Sequence, residues 1–235
     1  MRADCGAFAY AHISQNSTDS AAPQSARIES YQAIVYGSHS LDPRTDVSWQ
    51  ADLGYNDTSG SRSIPFMGGN TVASSSYGGW NGHLGAGIGR IFDLSSAVSL
   101  TPSLRLDYTA VKNSAYTETG AGALNLNVDS QGAQELIIGG DAKLVYSVSE
   151  KFSLTANAGV GYDALAKDAV IVSSFAGGGP AFQTEGVSPS HLVGRAGVGV
   201  TYHCKKGWEV AGRYDLQARS NYTNQTVSLK IRKSF

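Results

Sequence analysis

The stretch Phe152–Asp163, FSLTANAGVGYD, sorts its residues into two classes with a period of two. Phe152, Leu154, Ala156, Ala158, Val160 and Tyr162 fall on one side of an extended chain. Ser153, Thr155, Asn157, Gly159, Gly161 and Asp163 fall on the other. Successive side chains of a strand point to opposite faces, so this pattern predicts a strand with one apolar and one polar side. The same sorting recurs in both directions from it. Val98, Leu100, Pro102, Leu104, Leu106 and Tyr108 alternate with Ser99, Thr101, Ser103, Arg105 and Asp107. Val47, Trp49, Ala51, Leu53 and Tyr55 alternate with Ser48, Gln50, Asp52, Gly54 and Asn56. Near the end, Val227, Leu229, Ile231 and Phe235 oppose Ser228, Lys230, Arg232 and Ser234.

Ten such segments are assignable, near 6–13, 30–40, 46–56, 80–94, 98–112, 136–148, 152–163, 191–204, 208–218 and 225–235. Weaker alternation at Leu124–Asp129 and Ala169–Ser174 predicts extensions of neighbours or strands of their own. No segment sustains a 3.6-residue period, which predicts almost no helix. Connections are alternately long and short. The stretches Ser14–Arg27, Asp57–Gly79, Asn113–Glu135, Ala164–Ser190 and Arg219–Asn224 are polar loops, whereas Leu41–Thr45, Ser95–Ser96, Ser149–Lys151 and Lys205–Gly207 are tight turns. Aromatic residues recur near strand ends: Tyr55, Tyr108, Tyr146, Tyr162, Tyr202 and Trp208. Long loops at one end, short turns at the other and aromatic girdles are the anatomy of an outer-membrane barrel. The predicted fold class is therefore all-β: an antiparallel up-and-down transmembrane β-barrel occupying residues 1–235 as one domain. A soluble sandwich or lipocalin-like barrel is the competing architecture, but it requires strongly charged outer faces, and here the polar faces carry only sparse charge of mixed sign.

Composition agrees. Charged residues make up 16% of the 235, against roughly 25% in ordinary soluble domains, while the hydrophobic share is 41%. Mean hydropathy is −0.18, and no run approaches the ~18 apolar residues of a membrane-spanning helix. A net charge of −1 supplies no basic field for nucleic acid. The two cysteines, Cys5 and Cys204, make no metal-ligand spacing and no disulfide scaffold. Met1-Arg2-Ala3 is not followed by a signal-peptide core, so either the chain is cytosolic or its export signal lies upstream, and the barrel pattern points to the second.

The C-terminal part resembles a known family. Leu100-Thr-Pro-Ser-Leu-Arg-Leu-Asp-Tyr108, then Tyr116-Thr-Glu-Thr-Gly120, is similar to a run in autotransporter β-domains. So are Phe175-Ala-Gly177, Phe182-Gln-Thr-Glu-Gly186 and Gly194-Arg-Ala-Gly-Val-Gly199, and the closing Leu229-Lys-Ile-Arg-Lys-Ser-Phe235. The resemblance implies the C-terminal translocator of type V secretion. Such a domain anchors in the Gram-negative outer membrane and takes an N-terminal passenger to the cell surface. Its partners would be outer-membrane lipid, the passenger and the barrel-assembly machinery, which would read the last strand through Val227, Leu229, Ile231 and Phe235. It also implies twelve strands and a helix threading the pore. Ten strands and no linker helix, passenger or signal peptide lead to the expectation that the chain starts inside its own domain, unless the two weaker stretches complete the wall. Lys233 stands where the family usually has an apolar residue, and a lysine near a rim is expected to snorkel.

Eleven charged residues are predicted to line the lumen: Asp52, Arg105, Asp107, Asp141, Lys143, Arg195, Glu209, Arg213, Asp215, Lys230 and Arg232. Mutual neutralisation across a wet pore is their ordinary role. Resemblance adds a sharper one, since some autotransporters cut their own linker with a luminal carboxylate; Asp107 or Glu118 would be such a group. No nucleophile elbow, zinc-protease helix or phosphate loop is present, so no catalytic residue, metal or cofactor is expected. The histidines at 12, 39, 83, 191 and 203 are scattered, and Gly85-Ala-Gly-Ile-Gly89 reads as small residues leaving room in the pore. The Asn-x-Ser/Thr sequons at Asn16, Asn56, Asn221 and Asn224 read as turn residues. A barrel protease of omptin type, with Asp57, Asp163 and His191 near the rim, and a small stand-alone porin or adhesin are the other functions the pattern admits.

Overall fold

The computed structural model describes residues 2–17, 23–66, 69–186, 188–204, 207–220 and 222–233. Its strands are β1 (Arg2–Asn16), β2 (Gln24–Asp42), β3 (Thr45–Phe66), β4 (Gly69–Arg90), β5 (Phe92–Asp93), β6 (Val98–Asn113), β7 (Tyr116–Thr117), β8 (Leu126–Val128), β9 (Gln131–Ser147), β10 (Phe152–Asp163), β11 (Val170–Phe175), β12 (Phe182–Glu185), β13 (Leu192–His203), β14 (Trp208–Arg219) and β15 (Tyr222–Lys233). One antiparallel sheet, the wall, runs β1-β2-β3-β4-β6-β9-β10-β13-β14-β15, with β5 added to β6. It curls as a half-barrel, with β1 and β15 at its two edges. A short 3₁₀ turn spans Gly122–Leu124.

Each of the ten predicted segments corresponds to a wall strand, but several are longer than their apolar alternation. The expected loop Asp57–Gly79 is mostly strand: β3 and β4 stay paired from Asp57↔Gly78 out to Phe66↔Gly69. At about 3.4 Å per residue, a 22-residue strand reaches roughly 75 Å, far beyond what a bilayer needs. The extension is rich in Ser, Thr and Gly on both faces, so it carries no period-two signal. Asn16, Asn56 and Asn224, expected in turns, also lie within strands; Asn221 lies outside the described residues.

The weaker stretches form strands of their own, and they do not complete the wall. β8 and β11 pair with each other through Ser173↔Val128, within a separate sheet ordered β12-β11-β8-β7. This second sheet draws its strands from two long connections at the same end of the wall, which the short turns mark as external.

The short turns are closed by local chemistry. The Asp42 carboxylate accepts the Arg44 N–H at 2.8 Å, which holds its carboxyl below the ordinary range. Ser95 Oγ accepts the N–H groups of Ala97 and Val98. Gly207, at φ +75°, takes a left-handed conformation that suits glycine.

Burial is inverted relative to a soluble domain. Val160 is 70% exposed and Leu192 68%, and most other large apolar side chains of the wall are exposed too. Among the described residues only Ala73, Val128, Ile137 and Val193 form a buried apolar set. A soluble barrel packs its apolar face inside. Here that face points outward and is fit for lipid. Tyr10, Tyr31, Tyr55 and Trp80 stand directly across from one another on successive strands, an aromatic row on the external side. Near the opposite rim, Lys233 Nζ sits 5.4 Å from the centroid of the Trp208 ring, so this lysine is accommodated over an aromatic face.

Candidate functional site

The polar face of the wall is organised by charge pairs lying over glycines. In its middle, His83 on β4 stands between two carboxylates: Nδ1 is 3.0 Å from Asp52 on β3, and Nε2 is 3.1 Å from Asp107 on β6. Asp52, whose side chain is 4% exposed, also accepts Gln32 at 2.6 Å and Gln50 at 3.1 Å. Arg105 Nε lies 2.8 Å from Asp107. Four strands are thereby joined by one hydrogen-bonded chain, and every carboxylate oxygen in it has a donor. Farther round, Arg195 is 3.4 Å from Asp141, and Arg213 donates to Asp215 at 2.6 Å and to Asn157 at 2.9 Å.

Glycines opposite these groups supply the space. A Cβ on Gly85 would meet both Arg105 and Asp107, one on Gly139 would strike Arg195, and one on Gly197 would strike Asp215. The glycine-rich face is thus a bed on which charged side chains lie flat.

All eleven predicted residues share this face by register. Asp52, Arg105, Asp107, Asp141, Arg195, Arg213 and Asp215 are brought into the pairs above. Glu209 pairs across from Arg232 and lies 3.5 Å from His203, while Lys143 stands opposite Thr101 and Asn157, and Lys230 opposite Ala211. Sequence reasoning missed His83 as the bridge, because its partners lie 31 and 24 positions away.

A second cluster closes the external end. The Asp163 carboxylate, in a residue 2% exposed, accepts the N–H groups of Leu136 and Leu165 at 3.1 Å each and Arg219 Nη1 at 3.2 Å. Arg219 also pairs with Glu135. His191 Nδ1 contacts the Asp163 carbonyl oxygen at 2.7 Å, not its carboxylate. Asp57 is on the apolar face of the wall. The residues considered for a protease therefore make no His–carboxylate dyad.

Glu118 is not on the wall either. It sits beside β7, where Arg62 grips it through Nε and Nη2 at 3.2 and 2.6 Å, and it accepts the Leu126 N–H at 2.8 Å. This pair ties the second sheet to the β3–β4 extension. Beside it Tyr77 and Tyr116 stack with centroids 4.3 Å apart, and burial raises both phenols above their ordinary value. Glu118→Ala leaves Arg62 with only the Leu124 carbonyl and strands the Leu126 N–H, at a local cost of about 3 kcal/mol. Limited proteolysis within 114–130 is then expected to accelerate about a hundredfold while the wall stays folded; an unchanged cleavage rate would contradict the clamp.

The sequence pattern described as autotransporter beta-domain matches residues 5–215. The chain belongs to the autotransporter β-domain family. Among curated proteins compared by sequence, none matches. Among solved structures, the translocator domain of autotransporter NalP from Neisseria meningitidis is similar at TM-score 0.72 and 22% identity, over 100% of this chain and 81% of that one. The β-domain of the Bordetella autotransporter BrkA gives 0.55 at 14% identity, over 100% and 92%. The Ralstonia pickettii toluene transporter TbuX gives 0.54 at 10%, over 95% and 68%. These likenesses establish the fold, and membership of the autotransporter β-domain family establishes an outer-membrane translocator barrel of Gram-negative type.

Proposed function

We propose that this autotransporter β-domain anchors an N-terminal passenger in the outer membrane and conducts it to the cell surface along the polar face described above. The observation that carries this reading is the pairing of charges over glycines. A translocating peptide needs a wet, near-neutral path that neither traps it electrostatically nor blocks it sterically. Asp52–His83–Asp107–Arg105, Asp141–Arg195 and Arg213–Asp215 compensate one another, and the glycines beneath them keep the side chains low. The eleven charged residues then line the lumen, with Lys143, Lys230 and Arg232 in contact with water.

In lipid the N–H and C=O groups along β1 and β15 need partners, so function requires these edges to be paired. Val227, Leu229 and Ile231 present a highly exposed apolar row on β15. That row suits recognition by the barrel-assembly machinery as the last strand is paired. Phe235, assigned to the same signal, lies outside the described residues.

The test is a reporter peptide with a protease site, fused ahead of this domain and expressed with an export signal. Protease added to intact cells should release the reporter. A reporter that stays protected while the domain is folded in the outer membrane would overturn the reading.

A further inference from the structure

We infer that the second sheet is a releasable lid over the external end of the polar face, held shut by Arg62 and Glu118. The inference rests on the polar face being the passenger's path. Register puts the sheet on that side of the wall. Arg62 on β3 shares a side with Asp52, and Tyr77 on β4 shares one with His83. These are the two residues that grip Glu118 and stack on Tyr116. Thr58, on the same side of β3, is only 7% exposed, and Val128 of β8 and Ser173 of β11 are buried across from it. A cavity of about 500 Å³ remains between wall and sheet, lined by Thr58, Ser75 and Tyr77 from below and by Val128, Ser173 and Phe182 from above.

The attachment is non-covalent and local. Beyond Gly79, β4 no longer pairs with β6, and its edge takes up the segment that leads into the second sheet: Ser74 and Thr119 exchange both N–H···O bonds. The strands of that sheet are two to six residues long, against a usual length of about 5–6, so little of its stability is its own. Its position depends on what ties it to β3 and β4, and the Arg62–Glu118 pair is the charged part of that tie. A polypeptide moving outward along the polar face meets the sheet in its way, and the sheet has to leave β3 and β4 for it to pass.

The test reads the lid by thiol access in the full chain carrying Cys5→Ser and Cys204→Ser. Thr58→Cys places a thiol under the sheet, Asn70→Cys places one on the exposed hairpin, and a bulky, membrane-impermeant maleimide is added to intact cells. The thiol at position 58 should react about a hundredfold more slowly than that at 70. Glu118→Ala should bring it to within about tenfold of the exposed rate, and Glu118→Gln, which keeps an acceptor for the Leu126 N–H, should open it less. Heat-modifiable electrophoretic mobility checks that the wall is folded, and the glutamine variant carries the test should the alanine variant fail to assemble. A second arm fuses the reporter ahead of a chain with Ser74→Cys/Thr119→Cys. Directly opposed antiparallel residues have Cα atoms about 5.5 Å apart, within reach of a disulfide. Oxidation should lower display about tenfold and reductant should restore it. Equal labelling at 58 and 70, labelling unchanged in both Glu118 variants, or display undiminished under the disulfide would each overturn the lid. Display from neither the locked nor the unlocked chain would overturn the translocator reading instead, and the labelling then decides the lid.

Discussion

Replacing Asp163 by alanine is expected to destabilise the folded domain by about 3–5 kcal/mol, the range for removing one partner of a buried ion pair. Asp163 is almost fully buried at the external rim, and its carboxylate serves Arg219 and two backbone N–H groups. Truncation leaves Arg219 with Glu135 alone and strands the N–H groups of Leu136 and Leu165. These three contacts join β9, β14 and the segment after β10, so the loss falls on non-local pairing. Asp163→Asn retains one acceptor and should cost less. Urea unfolding in detergent, followed by circular dichroism, measures both. A midpoint for the alanine variant within ~0.5 kcal/mol of wild type would show that the cluster contributes nothing.

Gly159→Leu should prevent the wall from assembling, whereas Gly140→Leu should be tolerated. The two glycines lie on neighbouring strands but on opposite faces. Gly159 faces Asp141 and Arg195 in register, and a Cβ there would overlap the Asp141 carboxylate and approach Gly140 O to 2.8 Å. Overpacking costs about 1–3 kcal/mol, and breaking the Asp141–Arg195 pair adds to it. A Cβ on Gly140 would find its nearest neighbour, Leu104 Cδ2, at 3.7 Å, an ordinary contact on the outward face. There a leucine adds apolar surface that lipid solvates. The fraction of each variant recovered folded from outer membranes decides the matter. Equal recovery would mean that the glycines are not space-makers for charge.

These predictions separate what was legible early from what was not. The strand faces were readable because they follow from a local rule: Val160 and Gly161 must point opposite ways wherever the strand sits. The eleven charged positions were placed on one face by the same parity. The long β3–β4 extension was not legible, since Ser and Gly on both faces erase the alternation. The strands β8 and β11 showed as weak alternation, but their pairing into a second sheet, across 45 positions of chain, was not legible. Glu118, offered with Asp107 as a luminal carboxylate, is held by Arg62, which lies on the same side of β3 as Asp52, and ties the second sheet to the extension. His83 was dismissed as scattered and is the bridge of the central network.

The amino-acid sequence by itself determined the class of fold, the ten alternating segments of the wall, which end carries the turns and which side of each strand meets lipid. Those depend on period-two spacing and on turn chemistry within a few residues. Tertiary structure alone decided register, and with it every pairing described above: His83 with Asp52 and Asp107, Arg219 with Asp163 and Glu135, Arg62 with Glu118. The reason is physical. A strand's two faces are fixed by its own covalent geometry, but which residues meet across strands is set by hydrogen-bond ladders closing between segments distant in the chain.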